Sequence, residues 1–209
     1  MDGVLLNSTA LHTVAWEMYL TRQGIDPTGI PGGMEARMLG LRNEELVGQL
    51  FGEHLTAEER RHHGIEKERL YRELMTPVLD EHLVPGVREF LEQHKGMPTA
   101  VVSNAETANI DMLLDHAGLR AYFPTIVDGH QVARPKPFPD IYLRAAKLLG
   151  AEPARCVVFE DSATGIAAGL AAGMPVVGLR TSLRELPPVD LAIDDFRAPE
   201  LAHWLNSRA

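Results

Sequence analysis

From Thr99 onward, short β-branched runs alternate with stretches of helical periodicity, and few folds accommodate that alternation. The candidate strands are residues 99–102, 125–127, 156–159, 176–179 and 191–193. Between them, Ile110, Leu113, Leu114 and Ala117 share one helical face closed by Gly118, and Ile141, Ala145, Leu148 and Leu149 share another closed by Gly150. Gly165, Gly169 and Gly173 recur every four residues. The first two would let a helix approach the sheet closely, and the third would end it. The pattern predicts an α/β fold: a doubly wound parallel sheet, Rossmann-like, with crossover helices.

Before Thr99 the texture is helical only. Leu11, Val14, Ala15 and Met18 make an apolar stripe ending near Gly24, and Leu46, Val47 and Leu50 a shorter one. Thr56 with Glu59 reads as a capping box for a charged helix over 57–74. Arg60, Arg61, Glu66, Lys67, Glu68 and Arg69 read as its solvated face, laced by intrahelical ion pairs. Residues 8–80 are therefore expected to form an all-helical insertion, with residues 1–7 and 81–209 as the sheet core and Pro85-Gly86 as the return turn. Two crossings between the parts predict a mobile cap.

A formal net charge of -9 disfavours non-specific binding to nucleic acid or anionic membranes, and the basic residues are scattered rather than interleaved with aromatics. No apolar run is long enough to span a bilayer, and Met1-Asp2-Gly3 offers no leader, so the cytoplasm is the expected location. Cys156, the single cysteine, is expected to be a buried packing thiol. The adjacent His62 and His63 would diverge by about 100° on a helix, which suits a metal site poorly.

Ligands of a doubly wound sheet bind beyond the carboxyl ends of its strands. Ser103-Asn104 follow the first strand, Lys136 lies in Arg134-Pro135-Lys136-Pro137 after the second, and Glu160-Asp161-Ser162 follow the third. Asp2-Gly3 stand at the head of the chain. Singly, these read as an N-cap, a solvated loop lysine and a solvated turn. Together they would suit a phosphate and a divalent cation: helix N-terminal N–H groups and an ammonium for the anion, hard carboxylate oxygens for Mg²⁺.

The same segments resemble the motifs of the haloacid dehalogenase superfamily. Asp2-Gly3-Val4-Leu5 is similar to the second half of its first motif, Asp-x-Asp-Gly. Val101-Val102-Ser103-Asn104 resembles the second and Arg-Pro-Lys136-Pro-x-Pro-Asp-x-Tyr the third. Val157-Val158-Phe159-Glu160-Asp161-Ser162, with Gly165-Ile166, resembles the fourth. The helical segment directly after the first motif resembles the cap of the β-phosphoglucomutase/phosphoglycolate-phosphatase branch.

That resemblance implies a Mg²⁺-dependent phosphatase acting on a small phosphorylated metabolite through an aspartyl-phosphate intermediate. Asp161 is implied as a Mg²⁺ ligand, with Glu160 as a further ligand or a carboxylate behind it. Asp2 is implied as the general acid/base, its carbonyl reaching the metal. Ser103, Asn104 and Lys136 are implied to hold the phosphoryl group. Arg42, within Gly40-Leu41-Arg42, and His12, within His12-x-x-x-Trp16, are implied to face substrate. A surface ion pair for Arg42, and packing for His12 and Trp16, are the alternatives. Leu39 stands where a mutase-like cap carries lysine, which favours a phosphatase over a sugar phosphomutase. A dehalogenase is disfavoured by Lys136 and the acidic pair, and a catalytically inactive phosphate-binding homologue is the remaining reading.

The nucleophilic carboxylate of this chemistry belongs two residues before Asp2, a position ahead of Met1. The apolar first strand that would precede it is likewise outside the chain. A start assigned at an internal methionine is the expectation, because a gap in mid-sheet would leave buried backbone groups without partners. The polypeptide as it stands is expected to show negligible covalent turnover.

Overall fold

The structure is a computed structural model that describes residues 1–38 and 43–208, apart from the side chain of residue 130. The chain divides into two compact units, one comprising Met1–Asn7 and Leu79–Ala209, the other Ser8–Val78.

The larger unit is α/β, and every strand pair in it is parallel. β1 (Ala100–Ser103) pairs with β2 (Thr125–Asp128), and β3 (Val158–Glu160), β4 (Val176–Leu179) and β5 (Leu191–Ile193) pair in that order. The strands form two ladders, since no strand among the described residues hydrogen-bonds both β1 and β3. The ladders nonetheless share one core. Val127 of β2, Val158 of β3 and Val176 of β4 cluster with Ile141 and Ala145 of α7 (Asp140–Leu149) and Ile166 and Ala168 of α8 (Ala163–Ala171).

α5 (Val87–Gln93) lies ahead of β1. Helix faces follow the periodic reading with two shifts. In α6 (Thr107–His116), Ile110, Leu113 and Leu114 are buried, as is Ala117 just beyond it. In α7 the buried face is Ile141, Tyr142, Ala145 and Ala146, whereas Leu148 is exposed. An aromatic ring at the first turn, reaching toward the end of β3, sets that rotation. Gly169 of α8 lies so close to the sheet that a Cβ would come within 2.9 Å of the Val176 side chain, and Gly173 takes a left-handed φ of 72° just past the helix. Cys156 is half-buried rather than enclosed. Its strand begins two residues later, and its thiol donates to the Glu152 carbonyl at 3.4 Å.

The smaller unit is helical among its described residues: α1 (Thr9–Arg22), α2 (Gly33–Met38), α3 (Asn43–Phe51) and α4 (Ala57–Met75). The capping box forms as expected, Thr56 Oγ accepting from the Glu59 N–H at 3.2 Å while Glu59 accepts from the Thr56 N–H at 2.8 Å. α1 buries Ala15, Trp16, Tyr19 and Leu20; Val14 and Met18 of the expected stripe are exposed. The two aromatics offer more apolar area to bury than the aliphatic stripe beside them, and they decide the face. No helix among the described residues is long and apolar enough to cross a membrane.

Candidate active site

The polar residues singled out at the strand ends form a charged nest in the larger unit. Glu160 ends β3, with its side chain buried. Its Oε1 accepts from the Lys136 ammonium and, at 2.6 Å, from the Tyr142 hydroxyl. Its Oε2 accepts from the Asp161 N–H at 3.2 Å, the Ser162 N–H at 3.3 Å and the Ser162 hydroxyl at 3.0 Å. Burial by itself would raise the Glu160 carboxyl, but Lys136 foremost, with the Met1 ammonium and the Tyr142 hydroxyl, holds it at about 2, so it is ionised throughout the physiological range. The Ser162 oxygen in turn caps α8 by accepting from the Gly165 N–H at 3.1 Å.

Gly165 has a role that helix spacing does not reveal. A Cβ there would collide with the Glu160 carboxylate, so the glycine makes room for the charge rather than for the sheet. Gly165→Ala is expected to lower stability by about 1–3 kcal/mol by overpacking, which urea unfolding would measure.

Asp161 follows in a nearly buried position, accepting from the Ser182 hydroxyl, and Gly3 lies against it closely enough that a Cβ would meet its carboxylate. Gly3 has a φ of 62°, and its carbonyl accepts from the Thr181 hydroxyl at 2.5 Å. The turn after Asp2 is thereby pinned against the end of β4. Burial and the charge of Glu160 push the Asp161 carboxyl up to about 6, with Asp2 adding to the repulsion. A cation would offset this crowding of buried carboxylates. Among the described residues no group of three or more His, Cys, Asp or Glu could hold a metal by itself. Mg²⁺ does not need one, being held by one or two carboxylates plus water and phosphate oxygens, so the donor set fits.

Ser103 and Asn104 stand at the carboxyl end of β1. Ser103 is buried and accepts from the Ala105 N–H at 3.1 Å, while Asn104 is exposed and packs over Gly129. Beside them Asp128, the register partner of Ser103, is nearly buried and accepts from the Thr107 hydroxyl at 3.3 Å.

A sequence model described as haloacid dehalogenase-like hydrolase matches residues 1–173. The chain belongs to that family. Among its relatives, fructose-1-phosphate phosphatase YqaB of Escherichia coli is 33% identical over 183 residues, 86% of this chain and 93% of that protein. β-Phosphoglucomutase of Bacillus subtilis is 31% identical over 184 residues, 86% of this chain and 80% of that protein, which sets the chain in the β-phosphoglucomutase-like branch. In fold, it is similar to a HAD hydrolase of family IA, variant 3, from Entamoeba histolytica, with a TM-score of 0.86 at 24% identity, covering 100% of this chain and 96% of that one.

The helical unit of this haloacid dehalogenase-like hydrolase holds a second buried charge cluster. Lys67 and Glu68, expected on a solvated face, are only 2% and 5% exposed. The Lys67 ammonium donates to Glu68 Oε1 at 2.8 Å and to His12 Nδ1 at 2.9 Å, and sits 5.2 Å above the Trp16 ring. Glu68 also accepts from the Asn43 side-chain amide at 2.8 Å. His12 stacks on Tyr71 with ring centroids 3.7 Å apart. The two charges are tolerable inside because each has a partner. The neighbouring Arg69, by contrast, pairs at the surface with Glu66 and Glu73 as expected. Arg42, with Leu39, Gly40 and Leu41, lies outside the described residues.

Proposed function

We propose that this hydrolase binds a small phosphorylated metabolite with Mg²⁺ at Asp161 and serves the hydrolysis of its phosphate ester. The observation that carries the reading is the buried Lys136–Glu160–Asp161 nest, with side chains of Lys136 and Glu160 only 9% and 6% exposed. Glu160 has both oxygens engaged by protein donors, so its role is to fix and offset Lys136 while Asp161 is the carboxylate offered to the cation. Lys136, Ser103 and Asn104 would hold phosphoryl oxygens, and Mg²⁺ would neutralise charge on the same group. Asp2 would pass a proton to the leaving alcohol. The helical unit would act as a cap. That the named relatives include a fructose-1-phosphate phosphatase and a β-phosphoglucomutase supports a sugar phosphate as the substrate class, with phosphomutase as the second reading.

The test separates grip from turnover. Calorimetry should show that inorganic phosphate binds the 209-residue polypeptide only when Mg²⁺ is present, and that Asp161→Asn weakens this at least about tenfold. Phosphate binding indifferent to both Mg²⁺ and Asp161 would overturn the reading. Release of phosphate, against interconversion of glucose 1- and 6-phosphates, separates phosphatase from mutase.

A further inference from the structure

Tyr142 lies in the first turn of α7, six residues beyond Lys136, and is buried on the helix face that packs into the core. Two parts of its phenol meet the charge nest at once. The hydroxyl donates to Glu160 Oε1 at 2.6 Å, and the ring lies 4.9 Å from the Lys136 Nζ, measured to its centroid. Lys136 donates to that same Oε1. Tyrosine, lysine and glutamate therefore form a closed triangle whose one flexible member is the lysine, a long side chain on a loop.

We propose that Tyr142 is a positioning residue: it fixes Glu160 through its hydroxyl and Lys136 through its ring, so that the ammonium is held where a phosphoryl group binds. This rests on the reading of Lys136 as the phosphate grip. The hydroxyl suits the task because a single oxygen that accepts from two donors must be oriented by one of them, and a phenol moves less than an ammonium on four methylenes. Burial and the Glu160 charge push the phenol well above its ordinary pKa, so it remains a donor at every pH at which the protein works. The ring face meanwhile contributes a cation–π contact that a smaller residue would lose. The Asp161 carboxylate has its own partner, the Ser182 hydroxyl, and lies against the Gly3 turn, while its backbone N–H donates to Glu160 Oε2, the oxygen that Tyr142 does not touch. The grip on phosphate and the grip on metal are therefore separable by mutation.

Tyr142→Phe keeps the ring and deletes only the hydroxyl. Its affinity for inorganic phosphate, measured by calorimetry at saturating Mg²⁺, is expected to fall about tenfold, the loss appropriate to one hydrogen bond to a charged group. Its affinity for Mg²⁺ alone should stay within about twofold of the parent, since Asp161 keeps its contacts. Tyr142→Leu, lacking the ring as well, should bind phosphate more weakly still. A general structural role would instead lower both affinities together with the unfolding midpoint, and that result would overturn the proposal. So would unchanged phosphate affinity in Tyr142→Phe, or a Tyr142→Phe protein that fails to fold, since the hydroxyl would then serve stability alone. Failure of the underlying reading is distinct: the parent itself would show no Mg²⁺-dependent phosphate binding for Tyr142 to affect.

Discussion

Lys136→Met is expected to cost about 3–5 kcal/mol of folding stability near neutral pH, in addition to abolishing phosphate binding. Methionine fills most of the volume of the lysine stem, so packing loss is minor. The cost arises because Glu160, 6% exposed, is left ionised without the ammonium that contacts it. Its carboxyl, now held at about 2 with burial opposing and Lys136 assisting, would rise once the ammonium is gone. Removing both charges tests this account: Lys136→Met combined with Glu160→Gln should recover a large part of the lost stability, though none of the binding. Urea unfolding of the two variants at pH 7 measures the difference. A single variant as stable as the parent would show that the pair contributes nothing net to folding.

Glu68→Ala is expected to cost about 3 kcal/mol, the lower end for a broken buried pair, because Lys67 keeps His12 and two aromatic rings as partial partners. The parent carries a pH signature of the same interaction. Burial opposes ionisation of Glu68, but Lys67 foremost among its neighbours holds its carboxyl at about 2, against an ordinary value of 4.5. A depressed carboxylate stabilises the fold fully above its unfolded pKa and loses that contribution as pH falls through the folded one. The helical unit should therefore weaken between pH about 4.5 and about 2, and Glu68→Ala should flatten that dependence. Trp16, buried beneath the Lys67 ammonium, gives a fluorescence probe within the unit. An equally steep acid transition in the variant would assign it to other carboxylates.

The parallel strands and their terminal polar residues were legible because a buried strand needs β-branched runs and a binding loop needs polar side chains at its end. Residues 176–179 and 191–193 form strands as read, and the α6 face of Ile110, Leu113 and Leu114 is as periodicity predicts. Reading failed where a distant partner decides. Lys67 and Glu68 look like their solvated neighbours in sequence, since only the approach of His12 and Asn43 distinguishes them. On α7, Leu148 fits the apolar period as well as Tyr142 does, and what favours the tyrosine is a carboxylate 18 residues further on. Tyr142 did stand inside a recognisable motif, which was the available signal. Gly165 was visible as a helix-face glycine, but its neighbour is a charge rather than a strand.

That neighbour ties two processes together. Glu160 can take its place only against the side of α8 that Gly165 leaves bare, and α8 is capped by the same Ser162 that donates to Glu160. Docking of α8 and assembly of the charge nest around Glu160 are consequently one cooperative event. Chain emerging from the ribosome as far as residue 162 would carry the motif residues but no organised grip. In the folded protein, a bound phosphate would protect α8 from transient opening, just as a helix held in place protects the phosphate from release.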